Sequence, residues 1–250
     1  MIAPAGFEWL REGRTTLLVR GDVQTWIAPV LRALVEGTPP PHPTQTLPHG
    51  RGGTAVVTVD GHQIVVRPYR RGGLPARLFH NIYFGWSPRP FRELVTTETL
   101  RQRGAPVVEV YGAAVHRPRP GCYRGWLATR YLAGAQTLWE WAVAHDAARH
   151  AGVFQQVGCA IRRLHDCGGR HPDLNLNNIL ICPGPAVDTP AVVFVDFDRA
   201  RLARAQPSMF AGDLERLRRS AQKLDAAQAH VRAADLATLS AAYRQGGTCA

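Results

Sequence analysis

Apolar and polar positions follow two different periods along this chain, and the change of period divides it. Between residues 54 and 67, TAVVTVDGHQIVVR sets two β-branched runs about Asp60-Gly61. A two-residue Asp-Gly link between such runs predicts a hairpin, because the favoured turn needs positive φ at both positions. VVEVYGAAV (107–115) and RGWLATRYL (124–132) predict two further strands around a Pro-rich turn at 116–122. Between the two strand pairs, Phe91, Leu94 and Val95 share one face of a helix predicted over 91–103, which Gly104 ends. From Thr137 the spacing lengthens to three and four. Leu138, Trp139, Trp141 and Ala142 mark one helix, and Val153, Val157, Ala160, Ile161 and Leu164 mark a second that stops at Gly168-Gly169. A strand from Ile179, a turn with Pro183, Gly184 and Pro185, and the run AVVFVDFD (191–198) then predict another hairpin. Leu214, Leu217 and Leu224 give an amphipathic helix with Arg216, Arg218 and Arg219 turned away from them, and the last forty residues read as a helical pair.

The first 46 residues are less periodic. WLREGRTTLLVRG predicts a strand pair, WIAPVLRALVEG a short helix, and TPPPHPTQTLP a Pro-rich linker without regular structure. The chain thus divides into an N-terminal extension and linker (1–46), a β-rich part (47–132) and a mostly helical part (133–250), with no internal repeat. Its 250 residues, 45% hydrophobic, are enough to bury a substantial core. No stretch approaches the ~20 uninterrupted apolar residues of a membrane helix, and the start lacks a secretory apolar segment, which predicts a cytoplasmic protein. Five cysteines without a C-x-x-C pair point to reduced thiols and no metal cluster. The formal charge is +11, and Lys223 is the only lysine, so nearly all of the basic charge is arginine. That balance favours a polyanionic partner, whether nucleic acid, an anionic membrane face or a phosphorylated substrate, and does not choose among them.

The densest chemistry lies between residues 171 and 198. HPDLNLNNIL (171–180) sets Asp173 and Asn178 five positions apart, and VVFVDFD (192–198) brings Asp196 and Asp198 after a β-rich run. Phosphoryl-transfer sites use this spacing to hold a hydroxyl and a metal-bound triphosphate together. The reaction needs little covalent help, so the protein's task is to position the acceptor and neutralise phosphate charge. Asp173 is the candidate to take the hydroxyl proton. Asn178 and Asp196 offer the hard oxygens that Mg²⁺ prefers, and Asp198 is a further charge partner. The competing reading, an Asn-rich turn, loses to the hairpin that follows and delivers Asp196 beside Asn178. His165 and His171 read as structural residues orienting this loop.

Upstream, Gly50, Gly52 and Gly53 precede the first hairpin and form either a plain turn or one whose amides approach ATP phosphates. Where kinases carry a strand lysine for the α- and β-phosphates, VVRPYRR places Arg67. A guanidinium stays charged and grips phosphate in a fork, with a different reach from an ammonium. The insertion at 70–93 is basic and aromatic: Arg70, Arg71, Arg77 and Arg89 are candidates for carboxylate and phosphate groups, and Tyr83, Phe84 and Trp86 for a sugar ring or lipid. A solvated loop with a few core-plugging aromatics is the alternative.

Taken together, VVRPYRRGGL (65–74), HPDLNLNNIL and VDFDRAR (195–201) resemble the kinase-like fold of protein kinases, aminoglycoside phosphotransferases and lipopolysaccharide sugar kinases. More narrowly they are similar to the 3-deoxy-D-manno-octulosonic acid (Kdo) kinases of the lipopolysaccharide kinase family, as is DLERLRRSAQK (213–223). The resemblance spans about residues 47 to 225. It implies an α+β, bilobed protein-kinase-like fold, with a small antiparallel β-rich N-lobe, a mostly helical C-lobe and ATP in the cleft. It also implies that Gly50, Gly52 and Gly53 form the nucleotide loop, that Arg67 pairs with Glu93 or, failing that, Glu98, and that backbone near Arg130 to Leu132 meets adenine. The expected activity is ATP- and Mg²⁺-dependent phosphorylation of a Kdo hydroxyl on a Kdo-lipid A precursor. On this reading the protein lies peripherally on the cytoplasmic face of the inner membrane, the excess arginine faces an acidic glycolipid and an anionic membrane, and nucleic acid has no role. A heptose kinase of the lipopolysaccharide core, an aminoglycoside-phosphotransferase-like enzyme, and a pseudokinase binding acidic lipid or nucleic acid are the alternatives.

Overall fold

A computed structural model describes residues 1–37, 43–46, 54–69, 82–184, 190–202 and 207–246. The chain divides into two compact units, Met1–Glu98 with Glu109–Tyr131, and Thr99–Val108 with Leu132–Ala250.

The first unit contains, in order, β1 (Phe7–Glu12), β2 (Thr15–Arg20), α1 (Gln24–Glu36), β3 (Pro43–Thr46), β4 (Ala55–Val59), β5 (His62–Pro68), β6 (Tyr83–Phe84), the start of α2 (Arg89–Gln102), β7 (Val110–His116) and β8 (Cys122–Arg130). Its antiparallel sheet runs β1-β2-β7-β8-β5-β4-β3, and β6 pairs with β8 outside that order. Alternation sends successive side chains to opposite faces. Leu17, Val19, Ala114 and Ala128 pack with Ile27 and Leu31 of α1. Their neighbours Leu18, Ala113, Val115 and Leu127 pack with Phe91 and Leu94 of α2. Because each face is covered, β7 reads as a nearly continuous apolar run rather than an alternating one. Asp60 and Gly61 take φ of 47° and 76°, as the β4–β5 hairpin turn requires.

Two sequence-based expectations change here. The boundary at residue 47 sets apart strands that the sheet joins, since β2 bonds β7 from Thr15↔His116 to Val19↔Gly112. Strand order in a sheet is set by packing between distant segments, which a pass along the chain does not see. Within the Pro-rich segment, β3 pairs with β4; Pro43 is its first residue, and β3 is an edge strand, where a missing N–H is tolerated.

The second unit contains β9 (Gln136–Thr137), α3 (Leu138–Ala144), α4 (His150–Asp166), β10 (Gly169–Arg170), β11 (Ile179–Cys182), β12 (Ala191–Phe194), β13 (Arg201–Leu202), α5 (Pro207–Leu224) and α6 (Ala233–Gln245). The Thr137 hydroxyl accepts the Glu140 N–H at 3.1 Å while the Glu140 carboxylate accepts the Thr137 N–H at 2.8 Å, a capping box that starts α3. Phe154, Val157, Ile161 and Leu164 of α4 are the centre of a core that also takes Leu174, Leu176, Phe194 and Phe197, with Leu217 and Leu239 from α5 and α6. Leu224, expected on the inner face of α5, is exposed. The helix ends there, and Asp225 turns inward to accept the N–H groups of Ala229, His230 and Val231. Cys122, Cys167 and Cys182 are free thiols, whereas Cys159 is disulfide-bonded, correcting the reading of all five as reduced. An odd count fixes only that at least one thiol is left unpaired. Among the described residues no helix is long and apolar enough to cross a membrane.

Candidate active site

In the second unit the segment from His171 to Asn178 leaves β10 and enters β11. Leu174 and Leu176 are buried, Asn175 between them is half-buried, and Asp173 is exposed. The Asp173 carbonyl accepts N–H groups from the Asn175 and Asn178 side chains, each at 2.9 Å. With its amide nitrogen committed to this bond, Asn178 has its carbonyl oxygen left to offer. The β11–β12 hairpin pairs Ile179 with Phe194, and one step on the Val195 N–H donates to the Asn178 carbonyl at 3.1 Å. This ladder sets Asp196 one residue beyond a direct contact with Asn178. Asp196 is half-buried and takes a left-handed φ of 64°, a conformation that costs a non-glycine residue about 1–3 kcal/mol and concentrates at functional sites. Phe197 is buried in the core beside the His171 ring, at 4.7 Å.

His171 ties the two segments together. Its Nε2–H donates to the Val195 carbonyl at 3.0 Å, and Nδ1 has no hydrogen-bond partner among the described residues. Burial pushes the imidazole below its ordinary pKa, against the opposing pull of the Val195 carbonyl and of Asp196, Asp213 and Asp173, so the ring is held neutral. Behind it lies Asp213 of α5, completely buried. Its carboxylate accepts the His171 N–H at 2.8 Å and faces His165 Nε2 at 3.4 Å and Arg170 Nε at 3.9 Å. His165 stacks on Phe210 at 4.1 Å, and its Nδ1 meets the Tyr243 hydroxyl at 2.8 Å. Sequence reasoning assigned Asp213 no role. The available signal was a carboxylate one turn before Leu217, on the apolar face of an amphipathic helix.

In the first unit Arg67 lies on β5 and Glu93 in the first turns of α2. The guanidinium meets both carboxylate oxygens of Glu93, at 2.5 and 2.6 Å, and the Tyr69 hydroxyl donates to the same carboxylate. Glu93 is 2% exposed and Arg67 remains partly open to solvent. Of the two glutamates considered, Glu93 is therefore the one joined to Arg67, and Glu98 is buried as well. Leu132, the first residue of the second unit after β8, has its carbonyl engaged by the Ala135 N–H at 3.1 Å. Gly50, Gly52, Gly53, Arg70, Arg71 and Arg77 lie outside the described residues.

The donor set also bears on a metal. Among the described residues no group of three or more His, Cys, Asp or Glu side chains forms a metal cage. Asn178 and Asp196 instead provide one amide oxygen and one carboxylate on adjoining backbone segments. Such a sparse, hard set fits Mg²⁺, which keeps several waters and takes other ligands from substrate phosphates.

The sequence pattern of the lipopolysaccharide kinase (Kdo/WaaP) family matches residues 46–243. The chain is 31% identical to the 3-deoxy-D-manno-octulosonic acid kinase of Vibrio cholerae serotype O1 over 177 residues, covering 70% of this chain and 72% of that one. It is 32% identical to the enzyme of the same name from Vibrio parahaemolyticus over 206 residues, 77% and 79% of the two chains. The corresponding protein of Xanthomonas oryzae pv. oryzae is 32% identical over 179 residues, 70% and 68% of the two chains. Among solved structures, WaaP in complex with acyl carrier protein superposes with a TM-score of 0.61 at 16% identity, covering 92% of this chain and 89% of that one, a likeness of fold. A sheet-rich unit with a strand arginine joined to a helix glutamate, a helical unit that presents Asp173, Asn178 and Asp196, and a family match across most of the sequence agree: the chain belongs to the lipopolysaccharide kinase (Kdo/WaaP) family.

Proposed function

We propose that this protein transfers the γ-phosphoryl group of ATP to a hydroxyl of Kdo on a Kdo-lipid A precursor, at the cytoplasmic face of the inner membrane. The observation that carries the catalytic part is the bonding of the 171–178 loop to the β11–β12 hairpin: the Asn178 side-chain amide donates to the Asp173 carbonyl at 2.9 Å, and the N–H of Val195, the residue before Asp196, donates to the Asn178 carbonyl at 3.1 Å. Asp173 accepts the proton of the attacking hydroxyl, and its exposure leaves it open to an acceptor. Asn178 and Asp196 hold Mg²⁺, whose chemistry when bound is to neutralise charge on the phosphate oxygens. Arg67, oriented by Glu93, grips the ATP phosphates in the part that a lysine plays in most kinases. Backbone around Leu132 meets the adenine. The glycines at 50, 52 and 53 cover the phosphates, and Arg70, Arg71 and Arg77 contact the acidic acceptor. Kdo as the acceptor is supported by the names of the relatives that align over more than two thirds of their length.

The test is transfer of labelled γ-phosphate from Mg-ATP to Kdo-lipid A, beside Kdo-free lipid A and a heptose-bearing core, with wild type and Asp173→Ala. Label confined to the Kdo acceptor and reduced about 10²–10⁴-fold in the variant is expected. Labelling of the heptose core alone moves the acceptor to heptose. Undiminished transfer by Asp173→Ala removes the base assignment.

A further inference from the structure

One end of the first unit's sheet gathers residues that neither the core nor the proposed chemistry uses. Three segments meet there: the β1–β2 turn, the β7–β8 turn and the stretch following β6. The Gly85 N–H donates to the Gly121 carbonyl at 2.8 Å, the Arg117 N–H to the Arg14 carbonyl at 2.9 Å, and the Arg14 guanidinium to the Pro118 carbonyl at 2.9 Å. Arg117 also donates a side-chain N–H to the Trp86 carbonyl at 3.2 Å, which fixes the backbone that carries this indole. The indole itself is 78% exposed, and Phe84, two residues before it, is 56% exposed. Among the described residues most large hydrophobic side chains are buried, so two neighbouring solvent-exposed rings at a strand end stand out.

The same end is densely basic. Arg14, Arg119 and Arg124 are exposed and Arg117 is half-buried. Among the described residues no carboxylate pairs with any of these four guanidiniums; nearby Glu12 is engaged by Arg32 at 2.9 and 3.1 Å. Burial, with the fields of Arg124 and Arg14, pushes His116 below its ordinary pKa, so this histidine stays neutral and the positive charge of this end comes from its arginines. Two rings are too few for the centre of a stable protein interface, which spans about 800 Å² on each partner. They suit the headgroup level of a bilayer, where indole and phenyl rings partition between water and acyl chains while guanidiniums meet lipid phosphates.

We infer that the first unit docks on an anionic bilayer through this end, with Trp86 and Phe84 entering the headgroup layer and Arg14, Arg117, Arg119 and Arg124 on the lipid phosphates. The inference deepens the membrane association proposed above and rests on that reading only for which membrane is met. It is tested by co-sedimentation of the full chain with vesicles of phosphatidylethanolamine and phosphatidylglycerol, against vesicles of phosphatidylcholine alone, with polyaspartate as an acidic polypeptide. Binding is read without ATP or acceptor, and transfer to the Kdo acceptor in detergent micelles is measured separately, so a failure of the Kdo reading does not register in the sedimentation.

The wild type is expected to sediment with the anionic vesicles and to be released as salt rises. Trp86→Ala should weaken this binding about tenfold. Arg119→Glu/Arg124→Glu should weaken it at least 25-fold, at about fivefold per guanidinium, while retaining transfer in micelles. Equal binding of the variants and wild type overturns the inference. So does wild-type binding to polyaspartate that Trp86→Ala leaves intact without preference for anionic vesicles, which would make the patch a protein-facing one. A raised KM for the micellar acceptor in Trp86→Ala, with vesicle binding unchanged, also overturns it, placing the ring on the acceptor instead.

Discussion

His171 shows how one residue couples the site to pH. Folded, its imidazole is buried and held below the ordinary histidine pKa, with only Asp196, Asp213 and Asp173 and the Val195 carbonyl pulling the other way. Below about pH 6.5 the unfolded chain takes a proton that the folded chain resists, so the unfolded state binds more protons. Stability therefore falls as the pH drops from that value toward the folded pKa, by at most about 1.4 kcal/mol per pH unit for this proton. Urea unfolding of wild type and His171→Gln at a series of pH values should show a shallower acid-side slope in the variant. Asp213 is the second residue to test. Asp213→Ala strips the acceptor from the buried His171 N–H and the carboxylate facing His165 and Arg170. The expected loss is about 1–3 kcal/mol for the orphaned N–H, with kcat reduced more than the KM for ATP. Equal changes in both parameters would mean that Asp213 does not act through the 171–178 loop.

Among elements, the second unit depends on how closely α4 and α6 approach. A Cβ placed on Gly158 would collide with the Leu239 carbonyl and press on Ala242 of α6. Backbone gives way less than the tip of a side chain, so Gly158→Val should cost about 1–3 kcal/mol as an overpacked contact, read as a lower urea midpoint. Gly152, on the same helix with open space around it, is the control: Gly152→Ala should leave the midpoint unchanged or raise it. The strand end that carries Asp196 belongs to the same scale. Its place depends on the register Ile179↔Phe194, and a slip by one residue would turn Phe194 out of the core and carry Asp196 away from Asn178.

At the scale of the whole molecule, ligand binding reports on the proposed metal residues independently of turnover. A ligand at a hundred times its Kd stabilises the folded state by about 2.7 kcal/mol. ATP should raise the melting temperature further when Mg²⁺ is present than with EDTA. Asp196→Ala and Asn178→Ala should each lose that increment, whereas Asp173→Ala should keep it. A Mg²⁺ increment retained in Asp196→Ala would move the metal to other oxygens. The excess positive charge belongs to this scale too, since Lys223 is the sole lysine and the charge is spread over arginines on many elements.

The sequence by itself determined the elements and the local chemistry. Periods of two and of three to four, with Asp60-Gly61 and Gly104 as punctuation, are local properties of neighbouring side chains, and β4, β5, β7, β8, α2, α3 and α4 lie where those patterns place them. The segment with Asp173 and Asn178 was legible for the same reason, because five residues of loop fix which groups lie near one another, and the following hairpin returns the chain to the same place. Only the tertiary structure decided what depends on distant segments. It joined β1 and β2 to the sheet through β7, made an edge strand within the Pro-rich segment, and brought Arg67 to Glu93 across 26 positions of chain. It buried Asp213 against a backbone N–H 42 residues away and left Trp86 exposed beside arginines that no carboxylate pairs among the described residues. Each of these is settled by which surfaces exclude water together, and that is a property of the packed chain rather than of any stretch within it.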